Sequence, residues 1–331
     1  MNLVVGTYGQ RLYRLGVCPD SFSVSSCECA EVPNCSFFCL SDDGRFAYAI
    51  SESGDNSAIS AISLEGAMSL VSRVRCEAPD PCHIVLREGR LYTADYSGGS
   101  ISVYPACEGR IGNLLQRVRF EGSGPDARRQ ASPHVHMLKF FGDTLYATDL
   151  GADAVHLLKV RPDGLLERSG DLTMPPGCGP RHIDISADGR FLYVLTELSN
   201  ELHVFDRLQP VQLLKIGNPD FPTQAGGDVH IHPSGLWLYA SLRNGDDSIV
   251  SFHINPANGR LARKQTLSTA AHPRNFVISP DGALLTVFCK NDRIVQFYDM
   301  DPRTGAVKSP IAHITLPEET DSPVFGLESR P

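Results

Sequence analysis

The sequence predicts an all-β protein built from one four-stranded unit repeated along the chain, and three observations support this prediction. A glycine-led motif recurs six times, apolar residues alternate with a period of two, and the chain ends supply the strands of one further unit. Four short strands in a repeat of roughly 40–50 residues are typical of a β-propeller blade. We therefore predict a single domain over residues 1–331, a seven-bladed β-propeller of four-stranded antiparallel blades.

The recurring motif is a glycine followed by a strand rich in Leu, Tyr and Val. Its glycines stand at positions 44, 89, 142, 189, 235 and 282, which are 45, 53, 47, 46 and 47 residues apart. In the fourth copy a first strand at His182–Ser186 and a tight turn precede this second strand, and Leu202–Phe205 follows as a third. A hairpin with Asn-Pro or Asp-Pro and Gly, such as Asn255–Gly259, completes a unit.

The two chain ends predict the seventh unit. Ser322–Leu327 reads as a first strand, whereas Leu3–Tyr8 and Leu12–Val17 read as a second and a third strand. Pairing of the C-terminal strand with the N-terminal strands would close the ring of blades and leave no long free edge.

Composition and charge exclude several classes of protein. Hydrophobic residues make up 42 % of the 331, enough for a large core, and the formal net charge is −8. This acidic balance disfavours nucleic-acid and anionic-membrane binding, and no apolar segment approaches the roughly 20 residues that span a bilayer. Met1–Tyr8 lacks the features of a signal peptide. We expect a cytoplasmic protein without a nucleic-acid or membrane partner; the sequence does not indicate its oligomeric state.

The ten cysteines predict free thiols rather than disulfides or a metal centre. The cytosol keeps cysteines reduced. Cys27-x-Cys29 and Cys35-x3-Cys39 lack the paired spacing of structural zinc sites, so no metal site is expected.

Histidines and arginines recur at one position of the repeat, at or just before the first strand. In a propeller this strand lines the central channel, so these side chains are expected to converge and form an anion-attracting site. Any single histidine fits a structural hydrogen bond at a turn equally well. Histidines two residues apart, such as His134 and His136, are expected on one strand face. The set comprises His83, His134, His136, His182, His230, His232, His272, Arg181 and Arg274.

Charged residues end several second strands, where an inner strand opens at a face of the propeller: Asp95, Asp149, Glu197 and Arg243. We single out the last two. Glu197 follows the fourth copy of the motif and Arg243 follows the fifth. Both are candidate site residues, although a solvated turn charge explains either one equally well.

The chain resembles a known family along nearly its whole length. Gly179–Leu198 resembles the lactonase-type seven-bladed propellers, which include bacterial 6-phosphogluconolactonases and the fungal carboxy-cis,cis-muconate cyclase. Further matches stand in the family's order at Gly6–Tyr8, Asp95–Ser100, Pro133–His136, Asp149–Asp153, Ser241–Gly245 and His272–Phe276.

The resemblance implies a site made of one histidine, two arginines and a glutamate. By motif, the histidine is His134 or His136, and the other members are Arg181, Glu197 and Arg243.

Two positions depart from the family pattern. Leu242 stands where the family usually has asparagine, and Asp228-Val229 stands where a Glu-Ile-like pair is common. Hydrogen bonding around these positions is therefore expected to differ.

These residues suit the opening of a lactone by water, which needs a base for the water and positive charge beside the developing oxyanion. His136 or Glu197 could be the base, and the two arginines could bind a carboxylate, a phosphate or the oxyanion. The expected partner is a small lactone or sugar acid, and no metal or organic cofactor is required. The expected catalytic residues are His136, Arg181, Glu197 and Arg243, and the expected substrate-binding residues are His83, His134, His182, His230 and Arg274.

The family resemblance implies 6-phosphogluconolactone as the substrate, and three alternatives stay open. The same residues could close a muconate to a lactone, or open the lactone of an unphosphorylated sugar. The chain could also be a non-catalytic, protein-binding propeller. The segment Glu121–Ser132 is either a surface insertion or a substrate lid.

Overall fold

The computed structural model describes residues 1–316 and 323–329, with side chains described as far as Leu327. Its regular structure consists of 29 β-strands and one short 3₁₀ turn at Gly54–Asn56. Within these described residues, no helix is long and apolar enough to cross a membrane. The chain divides into two compact units, residues 1–176 with 324–331 and residues 177–323.

The first unit holds four antiparallel sheets. In spatial order, the first sheet contains β29 (Pro323–Ser329), β1 (Asn2–Thr7), β2 (Arg11–Val17) and β3 (Val24–Glu31), and the second contains β4 (Phe37–Leu40), β5 (Phe46–Ser51), β6 (Ala58–Ser63) and β7 (Ser69–Arg75). The third contains β8 (Pro81–Arg87), β9 (Arg90–Asp95) and β10 (Ser100–Cys107), and both β11 (Arg110–Ile111) and β12 (Gln116–Arg119) pair with β10. The fourth contains β13 (Val135–Phe141), β14 (Thr144–Asp149), β15 (Ala154–Val160) and β16 (Leu166–Thr173).

The second unit holds three antiparallel sheets of the same kind. Their strands are β17 (Pro180–Ile185), β18 (Phe191–Thr196), β19 (Glu201–Asp206) and β20 (Gln209–Lys215); β21 (Ala225–Ile231), β22 (Trp237–Arg243), β23 (Ser248–Ile254) and β24 (Leu261–Ser268); and β25 (Pro273–Ile278), β26 (Leu284–Cys289), β27 (Ile294–Asp301) and β28 (Ala306–Thr315).

The predicted all-β class with seven antiparallel blades is confirmed: five of the sheets consist of four strands in chain order, and the other two are the sheet that combines the chain ends and the sheet of β8–β12. The C-terminal β29 pairs with the N-terminal β1, as the chain ends predict, although Ser322 lies outside the described residues. In the third sheet the fourth strand is broken into two pieces, β11 and β12. The single domain stays a prediction.

The glycine-led motif is explained by contacts between neighbouring sheets. Its strand is the second of each sheet, and β5, β18 and β22 are buried along their whole length. The tyrosine of this strand reaches a glycine in the last hairpin of the next sheet. The Tyr193 hydroxyl donates to the Gly259 carbonyl at 3.0 Å, and Tyr239 donates to Gly305 at 2.8 Å. The two halves of the repeat, Tyr and the Asn-Pro or Asp-Pro hairpin, therefore form one inter-sheet hydrogen bond.

A β-bulge interrupts the start of the first strand in five sheets. The pairing with the second strand shifts between Pro81 and His83, Val135 and Met137, Pro180 and His182, Gly226 and Val229, and Pro273 and Asn275. A bulge adds an unpaired residue and redirects its side chain. The bulged residues include His136, Arg181 and Arg274. The directions of these candidate side chains are therefore not set by regular alternation along the strand.

The hairpin glycines give a test of this inter-sheet contact. Gly305 has φ 65°, and a Cβ there would collide with the Trp237 ring, whereas Gly235 has φ 73° with open space around it. Both alanine variants carry left-handed backbone strain of about 1–2 kcal/mol. We expect Gly305→Ala to lower the free energy of unfolding by about 1–3 kcal/mol more than Gly235→Ala, because only the former overpacks the core. Urea denaturation of both variants measures this difference, and equal losses would contradict the packing described.

Candidate active site

Two buried arginines share one carboxylate oxygen in the second unit. Arg181 Nε donates to Glu197 Oε2 at 2.9 Å, and Arg243 Nη2 donates to the same oxygen at 2.6 Å. Arg181 is 2 % exposed, Glu197 7 % and Arg243 5 %. The structure thus brings together three of the four predicted catalytic residues, and both guanidinium groups converge on the Glu197 carboxylate.

Local backbone structure places each member of this arginine–glutamate cluster. Arg181 is the bulged residue of β17, and its Nη1 also donates to the Gly227 carbonyl. Glu197 follows β18, where its N–H donates to the Gly179 carbonyl at 2.8 Å. Arg243 ends β22, and its Nε donates to the Gly226 carbonyl at 3.3 Å. Strand ends of adjacent sheets therefore supply the cluster, as their position in the repeat predicts.

A second buried network centres on Asp228 of β21. Its carboxylate lies 2.6 Å from His182 Nδ1 and 2.9 Å from His230 Nε2, and it also accepts a hydrogen bond from the Asn275 side chain. The Val229 N–H donates to it at 2.9 Å. His182, Asp228 and Asn275 come from the first strands of three successive sheets, so one carboxylate links all three.

The charge states in this network follow from burial and neighbours. Burial, and then the adjacent Arg181 guanidinium, lower the pKa of His182 to about 4, so this ring is neutral at pH 7. Burial alone would raise the pKa of Asp228, but His230 and His182 hold it well below its usual range. The neutral His182 ring must then carry its proton on Nδ1, because an ionised carboxylate can only accept a hydrogen bond.

Positive charge accumulates near a further buried histidine at the same end of the sheets. The His272 carbonyl accepts the Lys290 N–H at 2.9 Å. Burial, and then four neighbouring cations, lower the pKa of His272 to about 3, so it is neutral. These cations are Arg243, Arg274, Lys290 and Arg181. Together with Glu197 they form a surrounding that favours an anionic ligand.

The first unit contains a cluster of predicted histidines around Tyr96. The His134 ring stacks on Tyr96 with centroids 4.3 Å apart, and His136 meets the same ring edge-on at 5.8 Å. The tyrosine hydroxyl also accepts from Arg129 at 3.4 Å, which ties the segment Glu121–Ser132 to this cluster. His83 contacts the Phe37 ring, 4.1 Å between centroids.

Regular strand alternation does not apply to either histidine pair. His134 precedes β13 and His136 is the bulged residue of that strand, although both rings contact Tyr96. His232 follows the end of β21, where its ring contacts the Ser234 hydroxyl at 2.9 Å and the Gly282 carbonyl at 3.0 Å. His232 therefore has the structural turn role that was the alternative for each histidine.

Asp228 and Lys290 are the residues that sequence reasoning missed as site members. A usable signal exists for Asp228, because it lies 46 residues after His182 and thus one repeat further along. Lys290 likewise follows the second strand of its sheet, as Glu197 and Arg243 do.

In residues 1–316 and 323–329, no group of three or more His, Cys, Asp or Glu side chains is arranged to hold a metal ion. The ten cysteines carry no disulfide.

The neutral state of buried His182 predicts a loss of stability in acid. Its folded pKa of about 4 lies below the unfolded value of 6.5, so the folded state binds fewer protons between these pH values. Stability from this group is complete above pH 6.5 and falls, by about 3 kcal/mol, as the pH drops towards 4. We expect His182→Gln to flatten the pH dependence of the unfolding free energy in this window. Urea titrations at several pH values measure this, and parallel curves for wild type and His182→Gln would contradict the assignment.

Comparisons with known proteins agree on one family. The model of the family described as "Lactonase, 7-bladed beta-propeller" matches residues 2–322. A 6-phosphogluconolactonase from Formosa agariphila is 30 % identical over 343 residues, which cover 96 % of this chain and 96 % of that protein. The crystal structure of a candidate 6-phosphogluconolactonase from Bacteroides fragilis has a TM-score of 0.92 and 31 % identity, covering 98 % of this chain and 97 % of that one.

A third similar protein is the periplasmic gluconolactonase PpgL of Pseudomonas aeruginosa, with a TM-score of 0.90, 27 % identity and coverage of 99 % of both chains. Because this relative is periplasmic, the cytoplasmic location of our chain stays a prediction. The comparisons confirm the predicted family, the seven-bladed fold class and an enzyme of the lactonase class. The chain therefore belongs to the lactonase family of seven-bladed β-propellers.

Proposed function

We propose that this enzyme hydrolyses the lactone of a phosphorylated sugar acid, with 6-phosphogluconolactone as its substrate. The names of two of the three relatives support the substrate, and the third relative, a gluconolactonase, supports a sugar lactone more generally. The observation that carries the proposal is the arginine–glutamate cluster. It offers two buried guanidinium groups whose orientation is held by one carboxylate.

Lactone opening develops negative charge on the carbonyl oxygen as water adds to the carbonyl carbon. Arg181 and Arg243 are suited to receive that charge, because guanidinium donors that are already oriented need no reorganisation during the reaction. Burial strengthens the interaction, since the local dielectric is lower than that of water. The same two guanidinium groups also suit the carboxylate of the product, so their interaction with it opposes product release.

Glu197 is assigned an orienting role rather than that of the base. Its Oε2 accepts hydrogen bonds from Arg181 and Arg243, and a proton on either carboxylate oxygen would remove the negative charge that pairs with both guanidinium groups. The base is therefore assigned to a histidine. His136, the other predicted base, lies in the first unit beside Tyr96 and stays a candidate.

Substitution of the arginines by lysine tests this proposal. Lysine keeps the positive charge but loses the forked donor geometry. We expect Arg243→Lys to lower kcat/KM for freshly generated 6-phosphogluconolactone by about 10²–10³-fold, the usual cost of losing an oxyanion donor. Arg190→Lys is the matched control, because Arg190 binds Asp206 through Nε and Nη2 at 2.9 and 2.7 Å, away from the cluster. It should retain wild-type activity.

The assay measures hydrolysis above spontaneous opening, with and without EDTA, and folding of each variant is checked by thermal melting. We expect EDTA to leave the rate unchanged, because the proposed chemistry uses no metal. A wild-type rate equal to the spontaneous rate would reject 6-phosphogluconolactone as the substrate. Unphosphorylated gluconolactone and muconates would then be assayed in turn. Equal activity of Arg243→Lys and wild type would reject the cluster as the site.

A further inference from the structure

Asp228 is too deeply buried and too highly connected to be a simple surface acid. It is 1 % exposed, and its carboxylate contacts the side chains of His182, His230 and Asn275. An ionised carboxylate in such a place is costly unless hydrogen bonds satisfy its oxygens. Here the contacts satisfy it, so the negative charge is retained next to two imidazole rings.

The two histidines differ in what else can reach them. The His182 side chain is 6 % exposed, whereas that of His230 is 30 % exposed. His230 can therefore meet a water molecule or a ligand while its Nε2 stays 2.9 Å from Asp228 Oδ2. The ring is further held by an edge-on contact with Phe276, with centroids 4.9 Å apart and planes at 90°.

The hydrogen bond to Asp228 sets the tautomer of His230. Because the carboxylate only accepts, the neutral ring keeps its proton on Nε2 and leaves the lone pair on Nδ1. An imidazole oriented in this way is suited to take a proton from water, and the neighbouring carboxylate stabilises the imidazolium that results.

We propose that Asp228 and His230 form the proton-transfer dyad of the lactonase reaction, with His230 as the catalytic base and Asp228 as its positioning residue. This inference rests on the proposed lactone hydrolysis. His230 Nδ1 takes one proton from water as the water oxygen bonds to the lactone carbonyl carbon. The tetrahedral intermediate then collapses, the bond from the carbonyl carbon to the ring oxygen breaks, and that oxygen takes the proton back from Nδ1. The product acid loses its own proton to solvent.

The dyad complements the arginine–glutamate cluster. Glu197 pairs with two guanidinium groups and is assigned the orienting role, which leaves the proton transfer to another group. His230 belongs to the same unit and lies on β21 three residues after Gly227, whose carbonyl accepts a hydrogen bond from Arg181 Nη1. Ionisable groups on β21 and the strands packed against it are Asp228, Arg181, His182, Asp184, Arg274, Tyr193, Tyr239 and Arg243.

The substitution Asp228→Asn tests the dyad with little change of shape. An amide can donate to His230 Nε2, which moves the ring proton to Nδ1 and removes the lone pair that the base needs. We expect kcat to fall by about 10²–10⁴-fold with KM little changed, and the histidine limb of the pH profile to disappear. His230→Gln should give the same loss.

Asp184→Asn is the matched control. Asp184 is also a buried first-strand acid, but its carboxylate accepts the backbone N–H groups of Ile185 at 2.8 Å and Ile231 at 2.7 Å. Neutralising it removes a buried charge from the same region, and we expect wild-type kcat and an unchanged pH profile.

Nitrogen NMR of the His230 ring separates this inference from the proposed function. We expect the Nε2–H tautomer in the wild type and the Nδ1–H tautomer in Asp228→Asn, whatever the substrate proves to be. An Nδ1–H tautomer in the wild type would overturn the dyad even if lactone hydrolysis is observed. So would a His230→Gln variant with unchanged kcat, or loss of the pH limb in His136→Gln but not in His230→Gln. Absence of any lactone hydrolysis by the wild type, with the expected tautomer, would instead reject the proposed function and with it the catalytic role of the dyad.

Discussion

Two buried guanidinium groups, those of Arg181 and Arg243, form ion pairs with one oxygen atom of Glu197. Removal of one partner from a buried ion pair costs about 3–5 kcal/mol, because the remaining charge is left uncompensated. Here the loss of Glu197 would remove this carboxylate from both Arg181 and Arg243. The Glu197 carboxylate is therefore needed to stabilise the two buried arginines, whatever its part in the reaction. Two guanidinium groups that converge on one carboxylate offer oriented donors that suit an anionic ligand or an oxyanion.

The β-bulges explain how a regular repeat produces an irregular site. In a regular strand, Arg181 and its neighbours would alternate between faces. The bulge between Pro180 and His182 lets Arg181 reach Glu197 while the next residue, His182, reaches Asp228 in the following sheet. Adjacent residues thus serve two networks, the arginine–glutamate cluster and the Asp228 network. Such bulges are common beside active sites because they redirect a side chain without disturbing the rest of the sheet.

The parts that the sequence predicted are those encoded locally. The spacing of the glycines predicted the repeated sheets. The position of Glu197 and Arg243 at the ends of second strands predicted that both side chains lie at the same face of the propeller. Partners that meet across sheets were harder to see, although Glu197 and Arg243, like His182 and Asp228, are both 46 residues apart, one repeat. The sequence could not show which histidines are structural and which face solvent. Bulges and side-chain partners decide this, and neither can be derived from the spacing of the histidines.

A crystal structure with bound 6-phosphogluconate would test the central claim most directly, because it shows which anionic group of the product the cluster receives. The account predicts the sugar-acid carboxylate within hydrogen-bond distance of the Arg181 or Arg243 guanidinium, with Glu197 still bound to both arginines and His230 Nδ1 facing the ligand. A product bound without contact to either guanidinium would contradict it.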